Sequence, residues 1–256
     1  MTVRAQPRAD LALGVFETLL ALDGEPVELE AHLSRLAASL ESLYGAVLPA
    51  QASRLIVQSA GGLDLGRVRL TVAPGEHGLE SETGAEAVDP GLCFPPWEAG
   101  VQLRGFRLPG GLGGHKWADR SPIPRFADGA APLLLGGDGD VLEAGTANVF
   151  AVLDGVLTTP PTDGRILPGI ARAAAIEVAR EARLEVAERA LAYGELLGAE
   201  EVFLTGSVRG VVPARSLDGS PLGSGDAVRC LLADALRERW RSGRGSSPAP
   251  AHAGAP

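Results

Sequence analysis

The chain has 256 residues, 45% hydrophobic and 21% charged, with a formal net charge of −9, enough for a hydrophobic core in one large domain or two modest ones. The acidic balance, without a basic patch or tail, argues against nucleic acid as the main partner, and apolar runs such as APLLL at 131–135 are far too short to span a bilayer. No apolar signal core precedes a cleavage site, and two cysteines, Cys93 and Cys230, make no disulfide framework, so a cytoplasmic protein with reduced thiols and no membrane partner is expected.

LGVFETLLALDGEPVEL at 13–29 reads as two strands around an Asp23-Gly24 turn. Helical spacing follows, with Leu29, Leu33, Leu36, Leu40 and Leu43 on one side and Gly45 past the end. A second helix is expected over 49–62 and a strand over 66–75. Residues 74–90 are polar and Gly-rich and read as a loop. GVQLRGFRLP at 100–109 reads as a strand, and the Gly-rich stretch that follows as a connector.

The second half opens with strands around Asp138-Gly139 and Asp154-Gly155. A helix is expected in 167–186, with Pro168 in its first turn. Residues 199–219 give strand, small-residue turn, strand, and a last helix runs from about 225 to 240. Mixed strands and helices without strict βαβ alternation favour an α+β fold. The division expected is a small α/β domain at 1–108, a connector at 109–114, a large domain at 115–241 and a polar, disordered tail at 242–256.

The chain contains 22 arginines and one lysine, Lys116, in GGLGGHKWADRSPIPR at 110–125. This is not a phosphate-binding P-loop, because His115 separates Gly114 from Lys116 and Trp117 follows in place of Ser or Thr. Arginine stays protonated in proteins, whereas lysine can lose its proton when buried or crowded by charge. Only a neutral amine can attack a carbonyl and form a Schiff base. A lysine kept among so many arginines therefore points to amine chemistry, for which pyridoxal 5'-phosphate (PLP) is the leading cofactor; the alternative is a lysine left on the surface. PLP further demands an acid at its pyridine nitrogen, a phosphate cup and a cation. Glu143 in VLEAGTANVF is a candidate acid. ILPGIAR offers backbone N–H groups at Gly169, Ile170 and Ala171, and LTGSVRG places Gly206 and Ser207 at a strand end.

Together GVFETLLALDG, LEAHLSRLAASL, GHKWADR, VLEAGTANVFAVLDGVLTTP, ILPGIARAAAIEVA and AEEVFLTGSVRGVVPARSLDG resemble the class IV (fold-type IV) PLP-dependent enzymes. The match covers most of residues 14–220 in the family's order. That family includes branched-chain and D-amino acid aminotransferases and 4-amino-4-deoxychorismate lyases. The resemblance implies that Lys116 forms the Schiff base and shuttles protons, Glu143 pairs with the pyridine nitrogen and Arg35 binds the phosphate. It also implies that Ile170 and Ala171 offer N–H groups to the phosphate, with Gly206 and Ser207 closing the cup. Asn148 is expected to be structural. The chain departs from the pattern in three places. The strand pair that usually precedes GVFETL is expected to be reduced, Ala171 stands where many relatives have Thr, and bulky Trp117 follows the lysine and could shape the substrate side.

The Lys116–Arg120 spacing is like that in some lyases, with Arg120 available for a substrate carboxylate. The reading favoured is a lyase that converts 4-amino-4-deoxychorismate to 4-aminobenzoate and pyruvate. An amino acid aminotransferase is the runner-up, and a non-catalytic PLP-binding protein the third reading. By resemblance the chain is expected to be a homodimer acting on a small molecule, without a metal site.

Overall fold

The computed structural model describes residues 9–243; the expected tail therefore lies almost wholly outside the described residues. In chain order its elements are β1 (Val15–Leu22), β2 (Glu25–Pro26), α1 (Leu29–Tyr44), α2 (Ala52–Ala60), β3 (Leu65–Gly75), β4 (Gly78–Ala87) and β5 (Val101–Arg107). The second half adds β6 (Ala131–Leu135), β7 (Asp140–Ala144), β8 (Asn148–Leu153), β9 (Val156–Thr159), α3 (Ile170–Glu181), β10 (Val186–Glu188), β11 (Leu191–Ala192), α4 (Tyr193–Gly198), β12 (Glu201–Gly206), β13 (Gly210–Leu217), β14 (Ser220–Pro221) and α5 (Ala227–Arg241). The architecture is α+β.

The first four strands form an antiparallel sheet in the order β2-β1-β3-β4. Its hairpins follow from turn chemistry. Asp23 and Gly24 both take positive φ (50° and 82°), the conformation a two-residue hairpin needs. Helices α1 and α2 cover one face. Leu33, Leu36 and Leu40 of α1 and Ile56 of α2 pack on Leu19, Val68 and Leu70. The helical spacing read from the leucines is thus met, with Leu29 and Leu43 only part-buried.

Among the described residues the other strands form a ten-stranded sheet, β10-β9-β8-β12-β13-β5-β6-β7-β11, with β14 beside β13. Neighbours Phe150 on β8 and Phe203 on β12 stand directly opposite in register. Their rings stack at 5.5 Å, and α3 and α5 pack over them. An isolated antiparallel bridge joins Ala144 to Ala147. It links β7 to β8, which lie far apart in the strand order, so the sheet curls back on itself.

Three expectations are corrected. Residues 78–87 form strand β4 rather than a loop. Its exposed face is polar, and its pairing with β3 supplies the regularity that its composition hides. Strand β5 pairs in parallel with β13 and β6. Residues 101–107 therefore belong to the larger sheet, and the chain changes sheet in 88–100, ahead of the glycine-rich 109–114. Pro168 precedes the N-cap of α3, Gly169, instead of lying in the first turn.

Candidate active site

Lys116 lies in the long connection between β5 and β6, and the start of β1 fixes it there. The Phe16 N–H donates to the Lys116 carbonyl at 2.9 Å, and the Ala118 N–H donates to the Gly14 carbonyl at 3.0 Å. Val15 and Trp117 form an antiparallel bridge. An extended segment sends neighbouring side chains to opposite sides. Lys116 therefore faces a cleft, while Trp117 packs against the core of the small sheet and donates its indole N–H to the Leu112 carbonyl at 2.9 Å. This corrects the expectation that Trp117 shapes the substrate side, since it does not line the cleft.

Two ionisable groups there leave their ordinary ranges. Burial lowers Lys116 from 10.5 to about 8, helped by the charges of Arg35 and Arg120 and opposed by Glu17 and Glu143. Burial likewise raises Glu143, at the end of β7, from 4.5 to about 8, against the Leu167 N–H and the charges of Lys116, Arg120 and Arg35. Glu143 is 4% exposed. Its Oε2 accepts from the Leu167 N–H at 3.3 Å, and its Oε1 is buried with no partner.

At one end of the cleft α3 begins. Its N-cap, Gly169, makes no side-chain cap, so the first-turn N–H groups, including those of Ile170 and Ala171, lack intrahelical acceptors. Glycine is required by space here, because a Cβ would lie 1.9 Å from Asn148 Oδ1. Asn148 Nδ2 donates to the Leu167 carbonyl at 3.0 Å, and Asn148 also lines the cleft. Arg35, from α1, reaches across to donate through Nη1 to the Pro168 carbonyl at 2.9 Å. Gly206, which ends β12, and Ser207 after it line the same cleft. Arg120 lines the cleft too and donates to the Gly145 carbonyl. Asp119 does not pair with it, accepting instead from the N–H groups of Asp10 and Ser121. The structure thus brings Arg35, Lys116, Arg120, Glu143, Ile170, Ala171, Gly206 and Ser207 to one cleft.

Sequence reasoning missed three side chains. Thr205, on β12, is 1% exposed, lines the cleft and has a buried hydroxyl without a partner. Glu17 on β1 and His32 on α1, each 1% exposed, hold Arg35 from behind. Arg35 donates from Nε to Glu17 Oε1 at 2.8 Å and from Nη2 to Oε2 at 2.6 Å, and His32 Nδ1 lies 2.7 Å from Oε2. Burial pushes the Glu17 carboxyl up, but the Arg35 charge and the bonds from His32 and Arg35 outweigh it and hold Glu17 well below the carboxylate range. Burial lowers His32 despite Glu17. The proton of the bond between them sits on Nδ1, because an ionised carboxylate can only accept. The signal available was Glu17 itself, a carboxylate inside the apolar run VFETLLAL.

A wider groove opens beyond Lys116 and Arg120, lined also by Phe16, Arg69, Arg125 and Phe126. The Arg69 guanidinium stands 3.7 Å above the Phe16 ring. Among the described residues no helix is long and apolar enough to cross a membrane, and no group of three or more His, Cys, Asp or Glu could hold a metal ion.

The chain matches the family described as amino-transferase class IV over residues 14–92 and 125–217. It belongs to the class IV aminotransferase family. The branched-chain-amino-acid aminotransferase of Escherichia coli K12 is 42% identical over 93 residues, 36% of this chain and 30% of that protein. The match thus spans about a third of the length of that curated relative. A hypothetical aminotransferase from Mycobacterium tuberculosis, with α-ketoglutarate and PMP bound, superposes with a TM-score of 0.79 at 24% identity, covering 94% of each chain; this likeness shows the fold. 4-Amino-4-deoxychorismate lyase from Pseudomonas aeruginosa superposes with a TM-score of 0.72 at 27% identity, covering 93% of this chain and 96% of that one.

Class IV aminotransferases bind PLP, and the cleft fits that group on its own atoms. Glu143 Oε1 and Thr205 Oγ1 are buried polar atoms without partners, both on residues that line the cleft. The uncapped start of α3 and the fixed Arg35 suit a phosphate. Lys116 is the chain's one amine donor on a side chain and opens on the same cleft.

Proposed function

We propose that this enzyme is a PLP-dependent lyase that converts 4-amino-4-deoxychorismate to 4-aminobenzoate and pyruvate. The observation that supports it best is that Lys116 and Arg120 line the same cleft. Arg120, Arg69 and Arg125 have no carboxylate partner among the ion pairs of the described residues, and all three face the adjoining groove with Phe16 and Phe126. A ring carrying two carboxylates suits that mixture of cations and aromatic faces.

In this reading Arg35, the α3 N–H groups, Gly206 and Ser207 hold the cofactor phosphate. Glu143 holds the proton at the pyridine nitrogen, and ionises as it does so. When bound, PLP supplies an electron sink for the charge left on the amine-bearing carbon once its proton is removed. Lys116 is the base, because an amine titrating near 8 is partly neutral at physiological pH. Arg120 holds a substrate carboxylate so that the carbon–hydrogen bond faces the Lys116 Nζ. The ring-to-oxygen bond then breaks with its electron pair going to oxygen, the ring becomes aromatic, and the Lys116 Nζ returns the proton to the methylene carbon of the departing enolate, which leaves as pyruvate. A homodimer in the cytoplasm is part of the same proposal, with sedimentation velocity as its check.

Transamination is the second reading, favoured by the local identity to the branched-chain enzyme. The deciding experiment mixes PLP-loaded protein with freshly generated 4-amino-4-deoxychorismate and follows 4-aminobenzoate fluorescence and pyruvate together. Equal appearance of both, abolished in Lys116→Arg, is expected. No product, with the visible PLP band intact, rejects the lyase in favour of transamination, to be sought with L- and D-amino acids and a keto acid acceptor.

A further inference from the structure

Strand β1 is apolar on both faces except at Glu17 and Thr18. A buried carboxylate does not stabilise such a strand, since its desolvation is repaid only by well-placed partners. Glu17 spends both oxygens on α1. Oε1 takes the Arg35 Nε–H, and Oε2 takes an Arg35 Nη2–H and the His32 Nδ1–H. The Pro168 carbonyl takes one Nη1–H. Of the five guanidinium hydrogens this leaves one on each terminal nitrogen, on an arginine that lines the cleft beside Gly169, Ile170 and Ala171.

We propose that Glu17, backed by His32, is a positioning residue that aims Arg35 at the cofactor phosphate. This rests on the reading that the phosphate sits at the start of α3. Arginine side chains are long and mobile, and Glu143 is a competing acid in the same cleft. The two-point grip from Glu17 fixes the plane of the guanidinium, which a single contact would leave free to turn. Ala171 has no hydroxyl to offer the phosphate, and Arg35 is the one charged side chain assigned to it.

The test compares PLP with pyridoxal on the full chain, by absorbance titration of the cofactor-free protein. Both ligands carry the aldehyde for Lys116, and only PLP carries the phosphate. Glu17→Gln is expected to weaken PLP by about tenfold to a hundredfold, the range for losing a charge-assisted contact, and to leave pyridoxal within about twofold. Glu17→Asp, which keeps the charge and shortens the reach, is expected to fall between. As a second readout, the 31P resonance of bound PLP is expected to titrate in the variants and to stay flat in the wild type. An unchanged PLP-to-pyridoxal ratio, or equal weakening of both ligands, overturns the proposal. Should the glutamine variant fail to fold, the aspartate variant decides by the same ratio. A wild type that does not prefer PLP to pyridoxal would instead reject the phosphate site on which the proposal stands.

Discussion

Replacing Lys116 by methionine is expected to stabilise the cofactor-free protein at neutral pH and to lose that advantage in base. The lysine titrates near 8 in the fold and at 10.5 as an ordinary amine. Below pH 8 both states carry the charge, and the folded state bears the full cost of holding it away from water. Between 8 and 10.5 the folded amine is neutral while the unfolded one is still protonated, so stability rises with pH through that window. The fall from 10.5 to about 8 corresponds to about 3 kcal/mol. Methionine has a similar length and no charge, so it removes this cost at pH 7 and nothing comparable at pH 10. Urea unfolding of both proteins, cofactor-free, at pH 7 and pH 10 measures the effect. The difference in unfolding free energy is expected to shrink by about 2–3 kcal/mol between the two. An identical difference at both pH values would refute the argument, since groups far from Lys116 cancel in the comparison.

Glu143→Gln is expected to retain the visible PLP band while turnover falls about a hundredfold, because an amide cannot hold a charged pyridine nitrogen; kcat against absorbance checks it. Gly169→Ala drives a methyl group into Asn148 Oδ1 and is expected to cost about 1–3 kcal/mol, read as a lower Tm with weaker PLP binding. Phe150→Ala removes one half of the stacked pair under α3 and is expected to cost about 3–5 kcal/mol, with Phe150→Leu recovering most of it in denaturant titration.

Legibility of the sequence depended on how far each signal travels along the chain. Turn chemistry and helical spacing are local, so the Asp23-Gly24 and Asp154-Gly155 hairpins and α1 stand where the residues put them. Strand β4 has alternation that polar residues on its exposed face conceal, and only its register with β3 defines it. Lys116, Glu143 and the start of α3 were legible because each residue type has a chemical demand attached to it. Glu17 and Thr205 were not, because their meaning lies in partners: a carboxylate beside an arginine 18 positions away, and a hydroxyl left without one. Trp117 was misread because adjacency to Lys116 in sequence means the opposite side of an extended segment.

The cleft also explains why the fold needs two sheets. Glu143 and Thr205 belong to the larger sheet, whereas Lys116, though in a connection between two strands of that sheet, hangs from β1 of the smaller one. Arg35 crosses from α1 to the loop before α3. Under the proposed function the base and the pyridine acid would thus be carried by different sheets, with the phosphate contacts shared between them. Their spacing is set by bonds across the seam. Phe16 to Lys116 and Arg35 to Pro168 lie at the site. Farther off, Arg239 of α5 pairs with Glu28 at the start of α1 at 2.8 Å and with Glu177 of α3 at 2.6 Å. That remote pair fixes the near end of α1 against α3, and Arg35 lies two turns along the same helix from Glu28. The small sheet therefore does more than shelter a site built elsewhere, because a shift across the seam would separate Lys116 from Glu143 while leaving each correctly held in its own sheet.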